Sequence, residues 1–227
     1  TVDNVWLRAR FSSAGSLAPT GRADDGEVED YVLNITQLYD ATAVDPVLPK
    51  WSQTSDSTPL VEWEPVAGTP GGANDYYLVE VFDDQAMLVQ SYANYTETSV
   101  ELPQLAAGTY SVDVTSFNRA GVAGPTTTLP DFEVVTMEVL APIGDVDNGT
   151  PIISYTTVTQ TQTYQIRVVS TVTNALAYSA NVPGTSSSHL VANELPIGNY
   201  DITVRAIEDV TGQPGDWSVP QNFNVVT

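Results

Sequence analysis

The chain contains an internal repeat, and this feature most limits how it can fold. Four segments recur at a spacing of about ninety residues, too long for one solenoid turn and long enough for a separate small domain. The matching pairs are residues 58–63 (TPLVEW) with 150–155 (TPIISY), 77–81 (YLVEV) with 164–168 (YQIRV), 105–112 (LAAGTYSV) with 195–202 (LPIGNYDI), and 132–136 (FEVVT) with 223–227 (FNVVT). The repeat predicts two modules, residues 41–136 and 137–227, after a different unit at residues 1–40.

Within each repeat, apolar and polar residues alternate with a period of two. Val61 and Trp63 alternate with acidic neighbours, and Tyr110, Val112 and Val114 alternate with polar residues. This period indicates strands with one buried and one wet face, and we see no helical stripe. Short strands separated by Gly, Pro, Asn and Asp turns predict an all-β fold of tandem antiparallel β-sandwiches.

The segments 105–110 (LAAGTY) and 195–200 (LPIGNY) resemble the tyrosine corner of fibronectin type III modules. Trp63 on the second strand and the turn at 118–121 (NRAG) fit the same family. The second module departs from it by placing Tyr155 where the tryptophan would be, and immunoglobulin-like bacterial modules are a close competitor. The resemblance implies a seven-stranded sandwich, and a fold of this kind does not by itself define a function.

The first unit carries a different motif, DGEVEDY at residues 25–31, preceded by RFS at 10–12. This string resembles the end of the GEVED domain, which occurs in large secreted or surface-attached bacterial proteins, often beside fibronectin-like modules. The resemblance implies that residues 1–36 are the last strands of such a domain, and that the chain is extracellular or on the cell surface. If the two strands pair antiparallel, Arg8 and Arg10 can face Glu27 and Glu29.

The charge of the chain limits its partners. It has 28 acidic and 7 basic residues and a net charge of −21, which argues against nucleic acid and anionic membranes. Cysteine is absent, so disulfides, thiolate metal sites and cysteine nucleophiles are excluded. No apolar run approaches the roughly 20 residues of a membrane-spanning helix, and we predict no membrane insertion in this segment.

Calcium is the one cofactor that the sequence suggests, because acidic turns supply the hard oxygen ligands that calcium prefers. One candidate site lies in the first unit, one in a DVDNG turn, and one where the loops of the two modules would meet. Their residues are Asp24, Asp25, Glu27 and Asp30; Asp145 and Asp147; and Asp83, Asp84, Glu208 and Asp209. Arginine pairing in the first unit and ordinary solvated turns elsewhere are the competing interpretations.

Catalysis has little support, and we predict that the chain is not an enzyme. His189 is the single histidine, and the sequence contains no spacing typical of a Ser–His–acid triad. It also gives no indication of a pair of carboxylates on opposite sides of a cleft. A binding face is suggested instead by Tyr76, Leu78, Tyr92 and Tyr95, which could stack on sugar or dock a protein. Packing against the first unit or another subunit, or scattered exposure, would explain the same residues.

The predicted function is mechanical. The linker at residues 134–139 is short and rich in β-branched residues, so we expect a stiff connection. The chain would then be a non-catalytic structural or adhesion segment of a large bacterial surface protein, as in adhesins, surface layers or stalks. Its partners would be other copies or other surface proteins. The alternative is an accessory region of a secreted polysaccharide-degrading enzyme, which binds extracellular polysaccharide through Tyr76, Tyr92 or Tyr95.

Overall fold

The computed structural model describes residues 3–11, 13, 27–35, 46–49, 51–65, 76–117 and 121–227, and these residues form β-strands and connecting turns without a helix. The chain divides into two compact units, residues 1–40 and 41–227. The strands are β1 (Asp3–Phe11), β2 (Glu27–Ile35), β3 (Pro46–Leu48), β4 (Gln53–Thr54), β5 (Leu60–Trp63), β6 (Tyr76–Asp83), β7 (Leu88–Tyr95), β8 (Ser99–Glu101), β9 (Gly108–Phe117), β10 (Ala123–Thr128), β11 (Phe132–Val134), β12 (Val139–Ala141), β13 (Gly144–Val146), β14 (Ile152–Tyr155), β15 (Thr161–Ser170), β16 (Leu176–Pro183), β17 (Ser188–Leu190), β18 (Gly198–Glu208) and β19 (Gln221–Val225).

The described part of the first unit is an antiparallel pair, β1 with β2. Its register sets Arg8 opposite Asp30, so the prediction that Arg8 would face Glu27 or Glu29 is wrong. The guanidinium of Arg8 binds the Asp30 carboxylate through two hydrogen bonds, Nε to Oδ1 at 2.6 Å and Nη2 to Oδ2 at 2.7 Å. This hydrogen bonding holds the pKa of Asp30 below its usual value.

Strands β3 to β11 form the first sandwich, called module 1 below. One sheet has the order β3-β5-β8, and the other has the order β4-β11-β9-β6-β7 with β10 added beside β9. The inward residues of both sheets form one apolar core in which Trp63 is 1 % exposed. Its indole packs edge-on against Tyr77, with the ring centroids 5.3 Å apart.

Strands β12 to β19 form the second sandwich, module 2, with a closely similar topology. Its sheets have the orders β12-β14-β17 and β13-β19-β18-β15-β16. Tyr155 takes the place of Trp63 in a separate core and packs on Tyr164 at 4.9 Å, as Trp63 packs on Tyr77. Burial raises the pKa of Tyr155 to about 12. The fold prediction of tandem antiparallel sandwiches is therefore confirmed.

Both modules contain a tyrosine corner. The hydroxyl of Tyr110 donates to the carbonyl oxygen of Ala106 at 3.0 Å, and that of Tyr200 donates to the carbonyl oxygen of Pro196 at 2.8 Å. Gly108 lies two residues before Tyr110, and its φ of 157° falls in a region that favours glycine. The repeated sequence motif thus builds the same hydrogen bond at the same corner of each sandwich.

Candidate functional site

The candidate site is the contact between the two sandwiches, which we call the joint. Module 1 contributes residues 52–57, and module 2 contributes residues 159–160 and 208–216. Strand β4 pairs in parallel with β11, so the turn after it lies where the chain leaves module 1. Strand β18 ends at Glu208, so the loop that follows faces back toward module 1, as the topology predicted.

Four hydrogen bonds across the joint involve a backbone N–H group. Asp216 N–H donates to the carbonyl oxygen of Ser55 at 2.9 Å, and Ser57 N–H donates to Asp216 Oδ2 at 2.9 Å. At the start of the same stretch, Ser52 N–H donates to Gln160 Oε1 at 2.9 Å, and Thr159 N–H donates to Gln53 Oε1 at 3.2 Å. These bonds hold one short stretch of module 1, residues 52–57, against two segments of module 2 that lie far apart in the sequence.

Glu208 is the charged centre of the joint. The hydroxyl of Thr54 donates to Glu208 Oε1, and the hydroxyl of Thr211 donates to Oε2 at 2.7 Å. Burial raises the pKa of Glu208, the two hydrogen bonds oppose this shift, and the nearby charge of Asp56 adds to it. A carboxylate of module 2 is thus partly desolvated against a fully buried threonine of module 1.

Glycine is required at position 215 for the modules to approach this closely. A Cβ atom there would lie 2.1 Å from Ser55 Oγ and 2.9 Å from the Ser55 carbonyl carbon. Ser55 is itself buried, at 5 % exposure. The two surfaces therefore meet at backbone contact distance.

The linker between the modules is held by both of them. Val135 N–H donates to the carbonyl oxygen of Thr54 at 2.8 Å. Met137 and Val139 are buried in the core of module 2, and Val135 packs against the same core. The apolar side chains of the linker pack against module 2, and its backbone is hydrogen-bonded to module 1. The linker is therefore held at both of its ends.

The predicted acidic junction is arranged differently from the expectation. Glu208 approaches Thr54 and Asp56, whereas Asp83 accepts hydrogen bonds from the N–H groups of Gln85 and Met87 in its own turn. Asp84 is exposed in that turn, and Asp209 is exposed at the start of its loop. The structure therefore does not bring the four predicted carboxylates together.

The other predicted calcium ligands are also separated or already bonded. Asp145 lies in strand β13 and accepts from the amide of Asn224 at 3.2 Å, while Asp147 is exposed in the adjoining turn, where its backbone carbonyl accepts from the Thr227 hydroxyl. Asp30 is held by Arg8. Asp24, Asp25 and the side chain of Glu27 lie outside the described residues. Among the described residues, no three His, Cys, Asp or Glu side chains group in a way that could hold a metal ion.

The four predicted binding residues lie on two opposite faces. Tyr76 and Leu78 are half-buried on the outer face of β6, where Tyr76 stacks on Phe117 with the ring centroids 4.9 Å apart. Tyr92 and Tyr95 pack inward against the core of module 1. Register shifts between β6 and β7, next to a positive φ of 54° at Asn94, turn these two tyrosines inward. One shared aromatic surface is thus not formed.

A cluster on the outer face of module 2 was missed by the sequence reasoning. Trp217 lies within 4.5 Å of the Arg205 guanidinium carbon and 5.3 Å of that of Arg167, measured from the ring centroid. These two arginines are the only basic residues in positions 137–227. Two arginines at outward positions of two strands, in a module otherwise without lysine or arginine, could have indicated this cluster from the sequence.

His189 also has a partner. Its Nε2 atom lies 2.6 Å from the hydroxyl oxygen of Tyr178, and burial lowers the pKa of the imidazole. No helix within the described part of the chain could span a lipid bilayer.

Comparisons with known proteins show that the fold of this chain is similar to those of several solved structures. No family model matches the chain, and no curated protein matches it. Similar solved structures include the FN1-FN3 domains of chicken CNTN1, at 17% identity and TM-score 0.38, covering 89% of this chain and 74% of that one. A two-domain fibronectin type III segment of chicken tenascin is 12% identical with TM-score 0.35, covering 81% and 98%. The chicken interferon gamma receptor alpha chain is 11% identical with TM-score 0.35, covering 84% and 100%. By its strand order, separate cores and tyrosine corners, the chain is an all-β tandem of fibronectin type III-like sandwiches.

Proposed function

We propose that this chain is a non-catalytic structural segment of a bacterial extracellular or cell-surface protein, in which two sandwiches act as one stiff spacer. We further propose that residues 1–40 are the tail of a GEVED-like domain, on the strength of the DGEVEDY motif. The partners would be other copies or other surface proteins. The acidic composition with a single lysine suits an exterior surface.

The joint is the observation that carries this proposal. A spacer must transmit position, and a flexible linker would lose it because each free residue adds conformational freedom. Here the apolar linker residues pack into the cores of the modules, and Asp216 and Gln160 of module 2 accept hydrogen bonds from backbone N–H groups of module 1. These contacts favour one fixed orientation over free rotation.

The proposal is tested by measuring the spread of distances between the modules. The chain has no cysteine, so Gln85→Cys and Val172→Cys create two exposed labelling sites for pulsed electron paramagnetic resonance. We expect one narrow distance distribution. A matched control carries five Gly/Ser residues inserted after Thr136, and its distribution should be broad. A native distribution as broad as that of the control would contradict the proposal.

The second candidate is an accessory segment that binds polysaccharide through Tyr76. The stacking of Tyr76 on Phe117 supports it, since it forms a half-exposed aromatic pair on the outer sheet face. Retention on insoluble polysaccharide that is lost in Tyr76→Ala, but not in the inward-facing Tyr92→Phe, would favour this function. Equal retention of both variants would count against it.

A further inference from the structure

The cluster of Arg167, Arg205 and Trp217 borders an open depression of about 510 Å³ on the outer sheet of module 2. This volume lies within the roughly 300–1,000 Å³ range of small-ligand sites. Besides the cluster, the depression is lined by Gln165, Leu176, Ser179 and Asn181, and none of its lining residues is acidic. In a chain of net charge −21, the depression is a local cationic site.

Strand register places the polar side chains in two parallel rows. Asn181, Gln165 and Arg205 are opposite one another across β16, β15 and β18. In the neighbouring row, Ser179 is opposite Arg167. Because alternate residues of a strand share one face, both rows face the same depression.

The two arginines pack on Trp217, and Arg205 is also held by a hydrogen bond. Arg205 Nε–H donates to Gln165 Oε1 at 2.7 Å, and the indole of Trp217 lies against both guanidinium groups. The described residues offer neither guanidinium a carboxylate as an ion-pair partner, in contrast to Arg8 with Asp30. The planar fork of N–H groups on a guanidinium matches the paired oxygens of a carboxylate.

We propose that this depression is a binding site for a carboxylate-bearing saccharide, such as a uronic acid unit of a polysaccharide. The guanidinium groups of Arg167 and Arg205 would bind the carboxylate. The amide of Asn181 and the hydroxyl of Ser179 donate and accept hydrogen bonds, as sugar hydroxyl groups require. The exposed side chain of Leu176 supplies an apolar contact for the C–H groups of the sugar ring.

A short acidic saccharide fits this site better than a second copy of the chain. Two copies, each of net charge −21, repel one another much more strongly than one copy repels a short oligomer that carries only a few carboxylates. The amide and hydroxyl groups beside the arginines also match a ligand rich in hydroxyl groups. The proposal goes beyond the spacer function, because the three side chains of the cluster make none of the hydrogen bonds described for the joint.

The test is calorimetric titration of the full chain with an oligogalacturonate and with a neutral glucose oligomer of the same length. We expect saturable binding of the acidic oligomer, no binding of the neutral one, and affinity weakened by roughly tenfold or more in Arg167→Gln and in Arg205→Gln. The matched control is Arg8→Gln, which removes the same charge in the first unit and should leave binding unchanged. Circular dichroism verifies that each variant is folded.

Three results would overturn the proposal. The first is the absence of saturable heat with the acidic oligomer. The second is an equal loss of affinity in the control variant, which would indicate general charge attraction. The third is displacement of the saccharide by an oligoglutamate peptide at equal carboxylate concentration, which would indicate an acidic protein partner. The distance measurement across the joint is unaffected by each outcome.

Discussion

Replacing Gly215 with alanine should loosen the joint while leaving both sandwiches folded. The added Cβ would lie 2.1 Å from Ser55 Oγ, which can rotate away. It would also lie 2.9 Å from the Ser55 carbonyl carbon and 3.1 Å from Asp56 N, and these backbone atoms must move by several tenths of an ångström. Overpacking of this kind costs about 1–3 kcal/mol, and the lower chain entropy of alanine offsets about 0.4–1 kcal/mol of it.

We therefore expect a net loss of about 1–2 kcal/mol and stretching of the bond from Asp216 N–H to the Ser55 carbonyl. For a unit of this size, the melting temperature should fall by about 2–4 °C for each kcal/mol. The distance distribution between labels at positions 85 and 172 should broaden, because the close backbone contact that fixes the orientation is lost.

The matched control is Gly212→Ala in the same loop. Gly212 has a φ of 70°, and a Cβ there would meet nothing within 4 Å. Left-handed backbone costs a non-glycine residue about 1–2 kcal/mol, so this variant should lose similar stability but keep a narrow distribution. If both variants keep the native width, the joint does not depend on the close contact at Gly215 and the reasoning is refuted.

Three further predictions concern the two tyrosine corners, the Glu208 carboxylate at the joint and a close backbone contact inside module 2. Tyr110→Phe and Tyr200→Phe should each cost about 1–2 kcal/mol in urea unfolding, because each leaves a carbonyl oxygen without its hydroxyl donor, and an unchanged midpoint in either would contradict the shared corner. Burial raises the pKa of Glu208, so its ionised form disfavours the folded state above that pKa. Glu208→Gln should therefore be at least as stable as the native chain at pH 7, an advantage that shrinks as pH falls toward 4.5 in thermal melts; an unvarying difference would refute it. Gly184→Ala should unfold module 2 alone, because its Cβ would lie 1.7 Å from the backbone oxygen of Thr161, and tryptophan fluorescence should show module 1 still folded.

The features predicted correctly from sequence are those set by local chemistry. A motif such as LPIGNY encodes its own corner, because the glycine, the tyrosine and the accepting carbonyl of Pro196 lie within a few residues. The alternation around Val61 and Trp63 likewise encodes which residues are buried, since a strand face repeats every second residue. The corner motif and the alternation can therefore each be interpreted from a few neighbouring residues, without knowledge of the rest of the chain.

The features that were missed depend on register between distant strands. Arg8 faces Asp30 because the pairing of β1 with β2 is fixed by the whole hairpin, and periodicity alone does not determine it. Tyr92 and Tyr95 turn inward because of irregular pairing with β6. The grouping of Arg167 with Arg205 likewise requires the register of β15 on β18, which joins positions almost forty residues apart.

The two repeats differ in the segment that follows the long strands β9 and β18. In module 1, the chain after β9 returns as strand β10 and pairs with its own sheet. In module 2, the equivalent chain after β18 is a loop that holds Gly215 against Ser55 and places Trp217 beside two arginines. Glycine and proline at positions 212–215 break the strand pattern there, leaving one bridge between Ile207 and Pro214. Because the cores are kept while this loop differs, the joint and the cation cluster are additions to a repeated scaffold rather than consequences of it.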